Sequence, residues 1–224
     1  YTIGGQILIS DATFKAAETE FEARKAEAEK LRSDDVAGSE IPLLVAFYGL
    51  GRLHYYHSLI HPADSLHAKH EIEVALTTLE EFDLDFSDSL AAYEAKLTQA
   101  LCHSRLGKID SALAACDEAI ALRERFDKNK DGVYQVEKDA ADVIATAVLQ
   151  KALFLTDKQE HAKIVETCKQ YFATVAKAME AEQGPGVLVA MAKAHIALGE
   201  NEPATKIAQQ LIEHDPKGIW GLRG

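Results

Sequence analysis

Apolar residues along the chain recur at three- and four-residue steps. No run shows the sustained apolar/polar alternation of a half-buried strand. From Asp11 to Leu31 the residues Phe14, Ala17, Phe21, Ala28 and Leu31 form one stripe. The other face is charged, and Glu20 and Arg24 stand at i,i+4 pairing distance. Ser10 or Asp11 is a natural cap for this helix. From Ile41 to Ile60 the pattern is apolar almost all round, through Leu43, Leu44, Phe47, Leu50, Leu53, Tyr56 and Leu59. A helix of that kind sits between neighbours on more than one side. Pro62 stops it, and Ser65 to Phe82, carrying Leu66, Ile72, Leu76 and Leu79, reads as its return.

A turn at 83–88 precedes a second pair, Leu90 to Leu106 and Asp110 to Phe126. The polar link Asp127 to Gly132 leads to a third, Lys138 to Leu155 and Glu160 to Met179. Gly184-Pro185-Gly186 predicts a break. The last pair is Val187 to Leu198 and Pro203 to His214, with Pro203 in a first turn and Asn201 as a cap. The expectation is one single helix and four hairpins, all-α. It places an N-terminal segment and helix at 1–40, a hairpin array at 41–218 and the start of a further helix at 219–224.

Two of these segments repeat each other. Ala100, His103, Leu106, Gly107, Ala112 and Ile120 match Ala192, His195, Leu198, Gly199, Ala204 and Ile212, which is six identities over 21 ungapped positions. A helical hairpin accounts for the residue types. Small residues permit close helix approach, and glycine suits the left-handed position that ends a helix. The spacing resembles the tetratricopeptide repeat family, whose helix-turn-helix unit is about 34 residues long. The resemblance covers 93–126 and 185–218, and the second copy also carries the family's terminal proline as Pro216. It implies a tetratricopeptide-like α-solenoid, a superhelix of antiparallel helical hairpins. It also implies an inner face made by Leu97, Leu101 and Arg105, then Val189 and Lys193. That face is mostly apolar. It does not suit the family's clamp for an acidic chain terminus, and suits an apolar helix or extended peptide instead.

Composition narrows the partners. Acids outnumber bases 36 to 24 and the net charge is −12, with no cluster of Lys and Arg to meet phosphates. Nucleic acid and anionic membrane surfaces are therefore disfavoured. The 20 residues from 41 to 60 include Arg52, His54 and His57, so no membrane span is expected. Cys102, Cys116 and Cys168 are sparse and odd in number, which points to free thiols and a reducing, cytoplasmic setting. No signal peptide pattern opens the chain, and its start at Tyr1 suggests a processed or trimmed end. At the other end, Ile219, Trp220 and Leu222 form an apolar tail. Either Trp220 packs back on the final hairpin, or the natural chain or a partner continues from this end, in which case the uncapped array would self-associate through it.

Two constellations could carry metal chemistry. Asp127, Asn129 and Asp131, followed by Gly132, match the first half of a calcium loop, but Lys138 stands where the bidentate acid belongs. Five of the nine histidines fall between 54 and 70, and His54, His57 and His61 share one helix face at transition-metal spacing. No nucleophile elbow, phosphate loop or dinucleotide fingerprint is present. The leading expectation is a non-enzymatic scaffold that binds a protein or peptide segment in a helical-repeat groove, with no cofactor. The competing expectations are a calcium- or transition-metal-binding helical protein, and an enzyme with a groove site around His54, Tyr55 and His57.

Overall fold

A computed structural model describes residues 2–3, 6–7 and 10–214. Trp220 and the expected tail at 219–224 lie outside the described residues. The described chain is all-helical apart from a two-stranded antiparallel pair, β1 (Thr2–Ile3) and β2 (Gln6–Ile7), in which Thr2 faces Ile7. The helices are α1 (Asp11–Ser33), α2 (Glu40–Ser58), α3 (Leu66–Phe86), α4 (Leu90–Arg105), α5 (Ile109–Ile120), α6 (Lys138–Asp157), α7 (His161–Thr174), α8 (Gly184–Ala197) and α9 (Asn201–His214). Two compact units divide between Ser111 and Ala112.

In the first unit, α2 packs between α1 and α3, as an all-round apolar helix must. Helix α1 lies along α2. Ser10, Ser65 and Ser89 each accept a backbone N–H in the first turn of α1, α3 and α4. Leu43, Phe47, Leu79, Phe82 and Phe86 form one core, with Phe47 edge-on to Phe82 at 5.9 Å. This core explains why α3 runs past the turn expected at 83–88. Phe86 stacks on Phe82, Asp85 pairs with Arg32 of α1 at 3.2 Å, and Asp83 pairs with Lys96 of α4. Partners outside the helix satisfy what local sequence reads as a polar break.

In the second unit, α8 packs on α6, α7 and α9. Helix α7 ends at Thr174, short of the expected Met179. Tyr134 donates its N–H to the Thr174 carbonyl and accepts from Ala176, drawing Val175 into an extended bridge. The Tyr171 hydroxyl donates to the Ala178 carbonyl at 2.8 Å. The expected break at 184–186 lies earlier, because Gly184-Pro185-Gly186 opens α8 and all three residues are buried. A Cβ at position 184 would collide with the Ala178 carbonyl oxygen, so glycine is required there for space. Asn201 lies inside the first turn of α9 instead of capping it.

The repeated sequence produces the same backbone in both copies. Gly107 and Gly199 have φ of +73° and +77°. Gly107 N–H bonds to Ser104 O and Lys108 N–H to His103 O, while Gly199 bonds to Ile196 O and Glu200 to His195 O, all at 2.9 Å. This is a left-handed glycine stop that satisfies the last carbonyls of α4 and α8.

Candidate functional site

Of the five inner-face residues, three lie in the first unit and two in the second. Leu97 is 8% exposed, a core residue. Leu101 packs on the cluster of Tyr55, Ile72, Leu76 and Cys102. Arg105 donates from one terminal nitrogen to the carbonyls of Ser58 and His61, at 2.9 and 2.7 Å, and so caps the C-terminus of α2. The expectation took these side chains as facing a groove; tertiary packing turns them inward. Val189 and Lys193 do face open space. They form the ridge between two clefts in the second unit.

One cleft, of about 510 Å³, runs between α8 and α9 and is lined by Ala192, Ile196, Ala204, Ala208 and Leu211. The other, of about 360 Å³, runs across α6, α7 and α8 and is lined by Leu149, Ala152, Leu153 and Ile164. Leu153 and Ile196 are 57% and 60% exposed, far more than a core leucine or isoleucine. Lys193 stands exposed between them and takes part in none of the ion pairs found among the described residues. Ala192 lines the cleft at intermediate burial, whereas Ala100 is fully buried.

The histidine-rich stretch is drawn together from three helices. His54 Nδ1 donates to Glu71 Oε2 of α3 at 2.7 Å, and its Nε2 lies 3.7 Å from Glu18 of α1. His57 stacks on Phe14 of α1 at 3.7 Å and donates through Nε2 to Asp11 Oδ1 at 2.9 Å. His61, in the turn after α2, brings its Nε2 to 3.9 Å from the same oxygen. His67, at the start of α3, closes against His61 at a ring separation of 4.2 Å. The group with metal-ligand spacing is thus His57, His61 and His67, which each offer a ring nitrogen within 4.8 Å of the others. His54 instead belongs to the buried pair with Glu71.

The charges follow from these contacts. Burial raises the Glu71 pKa, but hydrogen bonds and charge from His54 and then His57 outweigh it and hold the carboxyl below its ordinary range. The His57 hydrogen bond holds Asp11 low. Burial first, and then His67 and His57, push His61 down. Tyr55 lies in the core cluster with Cys102, and burial raises its pKa to about 12. It does not converge with the histidines as the enzyme reading required.

The calcium-like loop is closed by its own bonds. Asn129 Oδ1 accepts from the N–H groups of Asp131 and Val133 at 2.9 and 3.0 Å, and Gly132 takes φ +81°. Lys138, at the position of the missing acid, donates to Asp142 at 2.6 Å. All three cysteines are free and buried, and burial raises each pKa to about 12.

Sequence spacing pointed to the α2 histidines. Asp11 and His67 were missed as their partners, because each enters from another helix. No family model matches the chain, and no curated protein matches it.

Proposed function

We propose that the chain is a protein-interaction scaffold, built as a tetratricopeptide-like superhelix of hairpins, and that its binding face is the pair of clefts on α6, α7, α8 and α9. The single observation that carries this reading is the exposure of Leu153 and Ile196 on either side of the Val189–Lys193 ridge. Apolar side chains standing singly on a surface are ordinary; two clefts that share Val189 and the exposed Lys193 and carry exposed apolar rims suit a helix-binding site. The occupant is an amphipathic helical segment of a partner protein, with apolar residues at three- and four-residue steps and a carboxylate placed to meet Lys193. This reading assigns the groove no catalytic step. The matching glycine stops after α4 and α8 support the repeat architecture.

Selection of helical peptides from a random library against the full chain tests the reading. The selected binders should carry an apolar stripe with one acidic residue. They should lose affinity about tenfold or more against Ile196→Asp, since burying one such side chain contributes about 1.5–3 kcal/mol. Binders indifferent to Ile196→Asp would overturn it.

A further inference from the structure

The first unit holds a constellation that peptide binding does not use. We propose that His57, His61 and His67, with Asp11 as the fourth donor, bind a divalent transition-metal ion of the zinc class. The inference rests on the first unit alone and is independent of the groove.

Three imidazoles already converge, each with a ring nitrogen within 4.8 Å of the others. Around one tetrahedral zinc, with bonds of roughly 2.0–2.1 Å, ligand nitrogens stand roughly 3.4 Å apart, so a small inward movement closes the set. The freedom for that movement is present. His61 sits in a turn, His67 has a side chain 53% exposed, and the Asp11 side chain is 78% exposed. His57 is the fixed member: 3% exposed, stacked on Phe14, with Glu71 Oε2 3.4 Å from its Nδ1. A carboxylate behind one ring nitrogen, with the other turned to the ion, is the usual support of a metal-bound histidine. The buried His61 Nε2 has no hydrogen-bond partner, so the protein leaves a ring nitrogen unspent within the cluster. Arg105, by holding the His61 carbonyl, fixes the backbone from which that ring projects.

Imidazole and carboxylate donors suit zinc and its neighbours in preference to calcium or magnesium. Entry of the ion replaces the hydrogen bond from His57 Nε2 to Asp11. The proton on His57 Nε2 leaves, to solvent from an imidazolium ring or to Nδ1, facing Glu71, from a neutral one, so that Nε2 and Asp11 Oδ1 both become ligands. The ion then joins the first turn of α1 to the turn between α2 and α3.

The test is calorimetric titration of the chelator-stripped full chain with zinc chloride, in buffers of different ionisation enthalpy, together with absorption of the cobalt(II) form. The expected results are one ion per chain, proton release on binding, the visible bands of tetrahedral cobalt, and a raised melting temperature. His61→Gln and His67→Gln should each weaken zinc binding by about 100-fold or more, and Glu71→Gln by about 10–100-fold. His214→Gln, on α9, should bind as the wild type does. Absence of binding up to millimolar zinc would overturn the proposal. So would binding of unchanged strength in both His61→Gln and His67→Gln.

Discussion

Ala100 and Ala192 hold the same place in the two sequence copies but meet different surroundings. Ala100 is wholly enclosed, so Ala100→Leu forces its neighbours apart and should cost about 1–3 kcal/mol in chemical denaturation. Ala192 borders the cleft between α8 and α9, so Ala192→Leu should leave the denaturation midpoint nearly unchanged while filling the groove and weakening peptide binding. An equal loss of stability in both variants would contradict this division. The copies also differ at their shared histidine. His195 donates to Glu200 at 2.6 Å, whereas His103 faces Lys108 and Glu80, and burial followed by Lys108 pushes its pKa below 6.5. A histidine with a lowered folded-state pKa stabilises the fold above its unfolded pKa and loses that contribution as pH falls. Wild type should therefore lose more stability than His103→Gln between neutral pH and the acid side of 6.5. Parallel denaturation curves across that window would sink the assignment.

At the scale of the element, helix identity was legible because apolar periodicity is local, and helix ends were less so because they depend on partners. Phe86 prolongs α3 by joining the Phe82 core, and Tyr134 ends α7 by bridging to Val175. The Arg32 and Lys96 partners of Asp85 and Asp83, and the Tyr134 partner of Val175, lie outside the α3 and α7 sequences. The glycine stops were legible in full, since the left-handed position is a property of the chain itself. Gly107→Ala and Gly199→Ala should each cost about 1–2 kcal/mol, with no space constraint added, because nothing lies within 4 Å of a built Cβ at either site. Gly184→Ala should act through collision with the Ala178 carbonyl, and should cost more than either. Denaturation midpoints of the three variants check the order, and a milder Gly184→Ala would refute the close approach. The histidine constellation was half legible. The spacing of His57 and His61 on one face is a sequence property, while Asp11 lies 46 residues before His57 and reaches it only through the packing of α1 on α2.

On the scale of the whole molecule, the two units carry different chemistry. The first concentrates imidazoles and carboxylates where α1, α2 and α3 meet; the second exposes an apolar groove on α6, α7, α8 and α9. Among the described residues no helix is long and apolar enough to cross a membrane, which agrees with the charged and histidine-bearing pattern of α2. The groove was only partly visible in the sequence. Val189 and Lys193 were found from the repeat register, but Leu153 lies outside the matched segments and Leu97, Leu101 and Arg105 are drawn into packing and capping. The central claim is that partners dock on this groove. Its most direct measurement is site-specific photocrosslinking in the cells that make the protein, with the reactive amino acid at position 196 and, as a control, at position 66. Leu66 is 87% exposed on α3 in the first unit. Crosslinks from position 196 to an apolar helical segment of a partner, with none to that partner from position 66, is the predicted result. The same adducts from both positions, or none from position 196, would contradict the account.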